Sequence, residues 1–302
     1  MTDAVLDVVE AEQAPPPARL LALTEAIRAR APRDSIAGFL FYGSGLRESD
    51  DPSKMLDLYV LVHSYRAFHG RALSAAANAA LPPNVFYLEV PTPEGGTVRA
   101  KASVLSLPAF ERRASEAALL SSVWGRFAQR TLVVEPQDEE VRSRMLRGLA
   151  ASVRSFASAA LPLFSGPVTA RAFWTGALAA SYRTELRAED AEGRAASIVE
   201  ADLRRYEALT TALFGTPDAE GRHALPKGGA DRWALRRALG KPLTVARVLK
   251  AAFTFDGGVD YALHKLKSHS GVELQLTESQ RRHPILWSPV LLAKVLRSGA
   301  WR

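Results

Sequence analysis

The sequence contains no cysteine, which excludes disulfides, thiol catalysis and any cysteine-ligated zinc or iron–sulfur centre. Long apolar runs are missing too. The longest stretch, near 285–296, is interrupted by Ser288, Pro289 and Lys294, well short of the roughly 18 uninterrupted apolar residues that a membrane-spanning helix needs. Several catalytic signatures are also absent: no Gly-x-x-x-x-Gly-Lys-Ser/Thr, no Gly-x-Gly-x-x-Gly, no Gly-x-Ser-x-Gly elbow and no His-Glu-x-x-His. The six histidines are scattered, and His264 with His269 does not have helical ligand spacing. They are expected at the surface, not around a metal. The first ten residues are acidic (Asp3, Asp7, Glu10) where a targeting peptide would be basic, so the expected location is cytoplasmic.

What is present describes an ordinary globular chain of 302 residues, 47% hydrophobic and 24% charged. That length holds two units, or one domain with a large extension. The net charge of +7 is uneven: residues 222–302 carry 15 basic against 5 acidic side chains, and residues 1–221 carry 24 against 27. Such asymmetry points to an anionic partner for the C-terminal part. Basic and bulky apolar residues alternate in Val245–Phe253 and in Val290–Arg297, as in cationic amphipathic helices that lie on acidic lipid. This favours a membrane surface over nucleic acid. The competing readings are a solvated basic surface and helices whose apolar faces pack on the rest of the protein.

Pro15-Pro16-Pro17 closes what is expected to be a mobile leader over residues 1–17, and Leu20, Leu23 and Ile27 mark one face of a following helix. Apolar runs at Ile36–Tyr42, Met55–Val62, Val85–Val90 and Val98–Leu105 predict a four-stranded core, with a helix from Ser64 to about Ala80 and a turn at Pro93-Glu94-Gly95-Gly96. Beyond Pro136, Val141, Met145, Leu149, Val153 and Phe156 recur at helical spacing, as do Leu203, Tyr206, Leu209 and Leu213. The expected organisation is α+β: residues 1–136, a helical unit 137–230 with a winged-helix-like arrangement as one option, and a basic amphipathic region 231–302.

The segment richest in chemistry is Phe41-Tyr42-Gly43-Ser44-Gly45, then a loop, then Met55-Leu56-Asp57-Leu58-Tyr59. Small residues after a strand let backbone N–H groups approach a triphosphate, and an Asp at the start of the neighbouring strand can hold Mg²⁺ or Mn²⁺. The pattern resembles the nucleotidyltransferase signature of the DNA-polymerase-β superfamily, with Tyr59 where a second acid usually stands. A plain Gly-Ser turn and a strand-capping Asp is the bland alternative.

A wider resemblance covers roughly residues 36–270. Tyr42-Gly43-Ser44-Gly45, Leu56-Asp57-Leu58, Val85-Phe86-Tyr87, Lys101–Ser106, Trp124-Gly125-Arg126-Phe127, Ser181–Arg187 and Tyr261–Lys267 follow one another as do similar motifs in the mitochondrial-type phosphatidate cytidylyltransferases. Glu185 stands where that family has Asp, Gln129-Arg130 where it favours Lys-Pro, and Leu88 where Asn is frequent. The resemblance implies a polymerase-β-type core that transfers CMP from CTP to phosphatidic acid, giving CDP-diacylglycerol and pyrophosphate, peripherally on the cytoplasmic face of the inner membrane.

It also implies site residues. Gly43 and Ser44 would cradle the triphosphate and Asp57 would bind the metal, with Glu89 on the next strand as a second ligand or else an edge-strand surface residue. Lys101 would neutralise phosphate, against a solvent-facing lysine. Arg126 would contact pyrophosphate or the lipid phosphate, against a structural arginine. Tyr182, Glu185 and Arg187 are expected on one helix, where residues three or four apart share a face, with Arg187 as the anion contact. The alternatives are a nucleotidyltransferase with another acceptor, or a non-catalytic nucleotide- or lipid-binding protein of the same fold. No nucleic-acid partner is expected.

Overall fold

Four of the apolar runs become strands of one mixed sheet in a computed structural model that describes residues 3–47, 55–91, 96–185, 190–254 and 277–282. The strands are β1 (Ile36–Tyr42), β2 (Leu56–Val62), β3 (Asn84–Pro91), β4 (Thr97–Ser106) and β5 (Thr131–Val134), in the order β3-β4-β2-β1-β5. β2 and β4 run parallel, and the other neighbours are antiparallel. β1 and β2 lie inside the sheet and are buried on both faces apart from their ends near Tyr42 and Asp57, which is why they read as nearly continuous apolar runs, broken in β2 by Asp57, instead of alternating ones.

One face of the sheet, with Phe39, Phe41, Leu58 and Val60, packs on Leu20, Leu23 and Ile27 of α2 (Ala18–Arg30). The other face, with Ala37, Leu40 and Tyr59, meets the helical part of the chain. There α8 (Glu139–Ala160) starts at Asp138, whose side chain accepts from the Val141 N–H at 2.8 Å, and it buries Val141, Met145, Leu149, Val153 and Phe156. The helices α9 (Ala170–Tyr182), α10 (Ala191–Ala201) and α11 (Leu203–Phe214) complete this layer, and Phe156 stacks on Trp174 at 5.6 Å. A small two-stranded sheet, β6 (Val168–Thr169) with β7 (Arg222–His223), lies beyond it. α12 (Trp233–Thr254) joins through Trp233, which is buried edge-on to Trp124 at 6.1 Å and donates to the Ala159 carbonyl at 2.9 Å. The apolar core therefore runs from the sheet to Trp233 without a break at residue 136 or 230.

Three expectations are corrected. The expected leader holds a packed helix, α1 (Ala4–Ala11), whose Val5 and Val9 complete the helical core. Asp3 pairs with Arg154 at 2.8 Å, Glu12 pairs with the buried Arg205, and Gln13 hydrogen-bonds along the outer edge of β5, accepting from Val133 N–H and donating to the Thr131 carbonyl. A side-chain amide thus covers a strand edge that would otherwise invite pairing. The sheet has five strands instead of four, because β5 is a four-residue strand preceded by a short helix and shows little periodicity. The helix from Ser64 is two helices, α4 (Tyr65–His69) and α5 (Ala72–Ala80), separated where Gly70 takes φ 66° as a left-handed cap.

No described helix is long and apolar enough to cross a membrane. The first cationic amphipathic segment is the second half of α12, and its Arg247 and Lys250 turn inward: Arg247 donates to the Pro82 carbonyl, and Lys250 to those of Leu81 and Pro83. At these two positions the basic side chains are engaged with backbone carbonyls of the chain itself. Val290–Arg297, Tyr261–Lys267 and the turn at Pro93 lie outside or largely outside the described residues.

Candidate active site

Strand register builds one wall of a cleft of about 340 Å³. Tyr42 stands opposite Asp57, Asp57 opposite Lys101, and Lys101 opposite Tyr87, so one row of side chains crosses four strands on one face. The neighbouring row holds Tyr59, Ser103 and Val85. Gly43 follows the end of β1 at φ +85°, a left-handed conformation that favours glycine. A Cβ there would lie 3.3 Å from Asp57 Oδ2. The Asp57 carboxylate therefore packs directly against the Gly43 backbone.

The opposite wall comes from α7 (Trp124–Phe127), the end of α9 and α12. α7 packs against α9 so closely that a Cβ on Gly125 would sit 2.6 Å from Ser181 Oγ. This contact presents Arg126 to the sheet. Its guanidinium lies 5.4 Å from the centre of the Tyr42 ring and 5.9 Å from that of Tyr59. It donates to the Tyr59 and Tyr42 hydroxyls at 3.2 and 3.4 Å, and pairs with Glu185 at 3.7 Å. Tyr42, Tyr59 and Phe127 form a mutual aromatic cluster with ring centres 5.0–5.7 Å apart, a rigid floor for that cation.

The electrostatics follow from this packing. Burial pushes the Tyr42 hydroxyl well above its ordinary pKa and Asp57 adds to the effect, while Arg126 opposes it. Burial works against the Arg126 charge, but Tyr42, Tyr59, Glu185 and Asp57 outweigh it and hold the guanidinium firmly protonated. Lys250 is the softest cation of the cleft: burial and the nearby Arg247 lower it to about 8.

Seven of the nine expected site residues, Gly43, Ser44, Asp57, Lys101, Arg126, Tyr182 and Glu185, line this one cleft. Tyr182 and Glu185 do not share a helix as expected: α9 ends at Tyr182, and Glu185 lies in the turn that follows, its N–H donating to the Tyr182 carbonyl. Arg187 lies outside the described residues. Glu89 is corrected. It is exposed on the edge strand β3, opposite Arg99, accepts the Tyr87 hydroxyl and does not reach the cleft. The two-residue offset from Tyr87 moves it one row outward and two strands away from Asp57.

Four cationic lining residues, Arg113, Arg194, Arg247 and Lys250, come from helices that the motifs do not include. The only sequence signal for two of them was the basic pattern of Val245–Phe253, and it was read as facing lipid. With Lys101 and Arg126 they give six cations against the carboxylates of Asp57 and Glu185. The charge of such a lining is complementary to a multiply charged anion.

Among the described residues no three acidic or histidine side chains gather as a metal centre. Magnesium, however, commonly takes one or two carboxylates and fills its remaining positions with substrate phosphates and water. A single half-buried Asp57 beside the Gly43 backbone fits an ion that arrives with a nucleotide, and does not fit a protein cage. In comparisons with known proteins, no family model matches the chain, and no curated protein does.

Proposed function

We propose that the chain is a polymerase-β-type nucleotidyltransferase that transfers CMP from CTP to phosphatidic acid. The observation that carries the reading is the convergence of Gly43, Ser44, Asp57, Lys101, Arg126, Tyr182 and Glu185, spread over more than 140 residues of sequence, on one cationic cleft. The cationic cleft with its carboxylate supports the chemistry of transfer. The choice of CTP and phosphatidic acid follows from the motif resemblance.

In this reading the triphosphate lies along the Gly43-Ser44 backbone with Lys101 beside it, and Asp57 binds the Mg²⁺ or Mn²⁺ that accompanies it. The metal supplies charge neutralisation at the phosphates. An oxygen of the acceptor phosphate attacks the α-phosphorus. The new P–O bond forms as the bond to pyrophosphate breaks, and pyrophosphate leaves. A phosphate monoester is nucleophilic near neutral pH, so the residues position and neutralise, and no strong base is required. Arg126 is suited to the charge that develops, because Tyr42, Tyr59 and Glu185 hold it in place before substrate arrives.

A second reading keeps the transfer but makes the acceptor a soluble phosphate ester. It is favoured by one observation: Arg247 and Lys250 face the cleft and not a lipid surface. Pyrophosphate release from CTP and Mg²⁺, measured with phosphatidic acid in micelles and with soluble phosphomonoesters, separates the two. Release with neither class of acceptor overturns the transferase reading.

A further inference from the structure

Three guanidinium groups converge near Tyr59 from separate helices: Arg126 from α7, Arg247 from α12 and Arg113 from α6 (Leu107–Ala114). Arg126 is already committed, to two tyrosine hydroxyls and Glu185. Arg247 uses Nε on the Pro82 carbonyl at 3.0 Å and Nη2 on Ser122 Oγ at 3.4 Å, so neither bond neutralises its charge. Arg113 Nε is shielded from solvent and meets no hydrogen-bond partner. Arg113 and Arg247 each interact electrostatically with the Tyr59 side chain, and Arg247 also feels the charges of Arg126 and Arg113.

Like charges gathered in a partly buried cleft repel one another and lose hydration. Burial accordingly lowers the Arg113 and Arg247 pKa values, and neighbouring cations lower Arg247 further. Glu185, a carboxylate that acts on Arg247, is also the partner of Arg126. Such a cluster is stabilised when an anion supplies the missing charge. Several forked donors suit a tetrahedral oxyanion with more than one charge, and the Ser121 and Ser122 hydroxyls beside them suit its remaining oxygens.

We propose that Arg113 and Arg247, with Arg126, form a phosphomonoester-binding subsite around Tyr59, separate from the nucleotide-binding end at Gly43, Ser44, Asp57 and Lys101. The subsite stands on charge and geometry. Its role as the pocket of the acceptor phosphate rests on the transferase reading above. Arg113 and Arg247 would then hold the phosphate whose oxygen attacks the nucleotide, while Lys101 and Asp57 hold the nucleotide itself.

The test is calorimetric titration of the full chain with inorganic phosphate and with dihexanoyl phosphatidic acid, comparing the native protein with Arg113→Gln and Lys101→Gln. Losing a charged, hydrogen-bonding partner is expected to weaken both ligands about tenfold or more in Arg113→Gln, and by more than Lys101→Gln does, since Lys101 belongs to the nucleotide end. Unchanged binding in Arg113→Gln, or a loss in Lys101→Gln as large as in Arg113→Gln, overturns the subsite. Should Arg113→Gln fail to melt cooperatively, Arg113→Lys keeps the charge without the fork. It is then expected to lose about threefold or more, and native affinity there overturns the subsite. Tighter binding of dihexanoyl phosphatidic acid than of inorganic phosphate makes a lipid headgroup the source, and equal affinity a free phosphate ester. The two readings fail separately: phosphate binding that depends on Arg113, without CMP transfer, keeps the subsite and rejects the transferase. CMP transfer in which Arg113→Gln raises the KM of CTP but not that of the acceptor keeps the transferase and rejects the subsite.

Discussion

Asp57 and Lys101 stand directly opposite each other on the parallel strands β2 and β4, and both line the cleft. In the transferase reading the pair acts on one ligand, the carboxylate through a metal and the ammonium on phosphate. Asp57→Ala is expected to lower transfer about a hundredfold or more, the scale of losing a charge-stabilising group, while the melting temperature stays near native because no core contact is lost. Lys101→Gln is expected to raise the KM of the nucleotide. Steady-state kinetics beside a thermal melt check both.

Gly125 permits the contact that places Arg126. Gly125→Ala is expected to destabilise by about 1–3 kcal/mol through overpacking, since its Cβ would meet Ser181 Oγ at 2.6 Å. Ser181→Ala removes that oxygen and should recover most of the loss in a double-mutant cycle measured by denaturant unfolding. Additive losses in the double variant would show that the two positions do not touch.

The N-terminal helix carries stability. Glu12→Gln leaves the charge of Arg205 in a nearly closed site, where the two side chains are 11% and 8% exposed, at a cost of about 3–5 kcal/mol. Val9→Ala is expected to cost about 1–3 kcal/mol by leaving a cavity in the core. Equilibrium unfolding in urea reads both.

Lys250 gives a pH signature. Its folded-state pKa, about 8, lies below the ordinary 10.5, so the unfolded chain holds more protons between those values. Its contribution to stability therefore rises with pH across that window. The cleft loses a positive charge in the same window, and CTP binding is expected to weaken as pH rises through about 8. Lys250→Arg, which stays charged, should flatten that step in a titration of affinity against pH.

Residues 271–302 hold much of the remaining basic and apolar pattern of the sequence, and the proposed reading gives membrane attachment to them. Deleting them is expected to weaken binding to liposomes rich in acidic lipid and to leave CTP affinity within about twofold, as short-range attraction to lipid is local to those charges. Equal losses of both would reject that division of labour.

How far the sequence carried the site depended on the range over which each signal acts. The strands were legible because β1 and β2 are apolar along almost their whole length and β3 and β4 hold β-branched and aromatic residues around a turn, and α8 because five apolar residues keep one face over four turns. β5 was not: its four residues become a strand only through pairing with β1, a tertiary event. Gly43 to Asp57 was legible because a strand, a tight turn and a carboxylate are close in sequence. Arg113, Arg194, Arg247 and Lys250 were missed as cleft residues because the fold, and no local spacing, brings α6, α10 and α12 to one place. The leader was misread for a related reason. Val5, Leu6, Val8 and Val9 make only a short apolar pattern, and the burial of Val5 and Val9 depends on helices more than 120 positions away.

The central claim is tested most directly by incubating the purified full chain with Mg²⁺, α-labelled CTP and phosphatidic acid in mixed micelles, beside ATP, GTP and UTP. Chloroform-soluble label that requires CTP and disappears in Asp57→Ala is the expected result. No label in lipid, together with no pyrophosphate released to any soluble phosphate ester, would contradict the assignment of this cleft to nucleotidyl transfer.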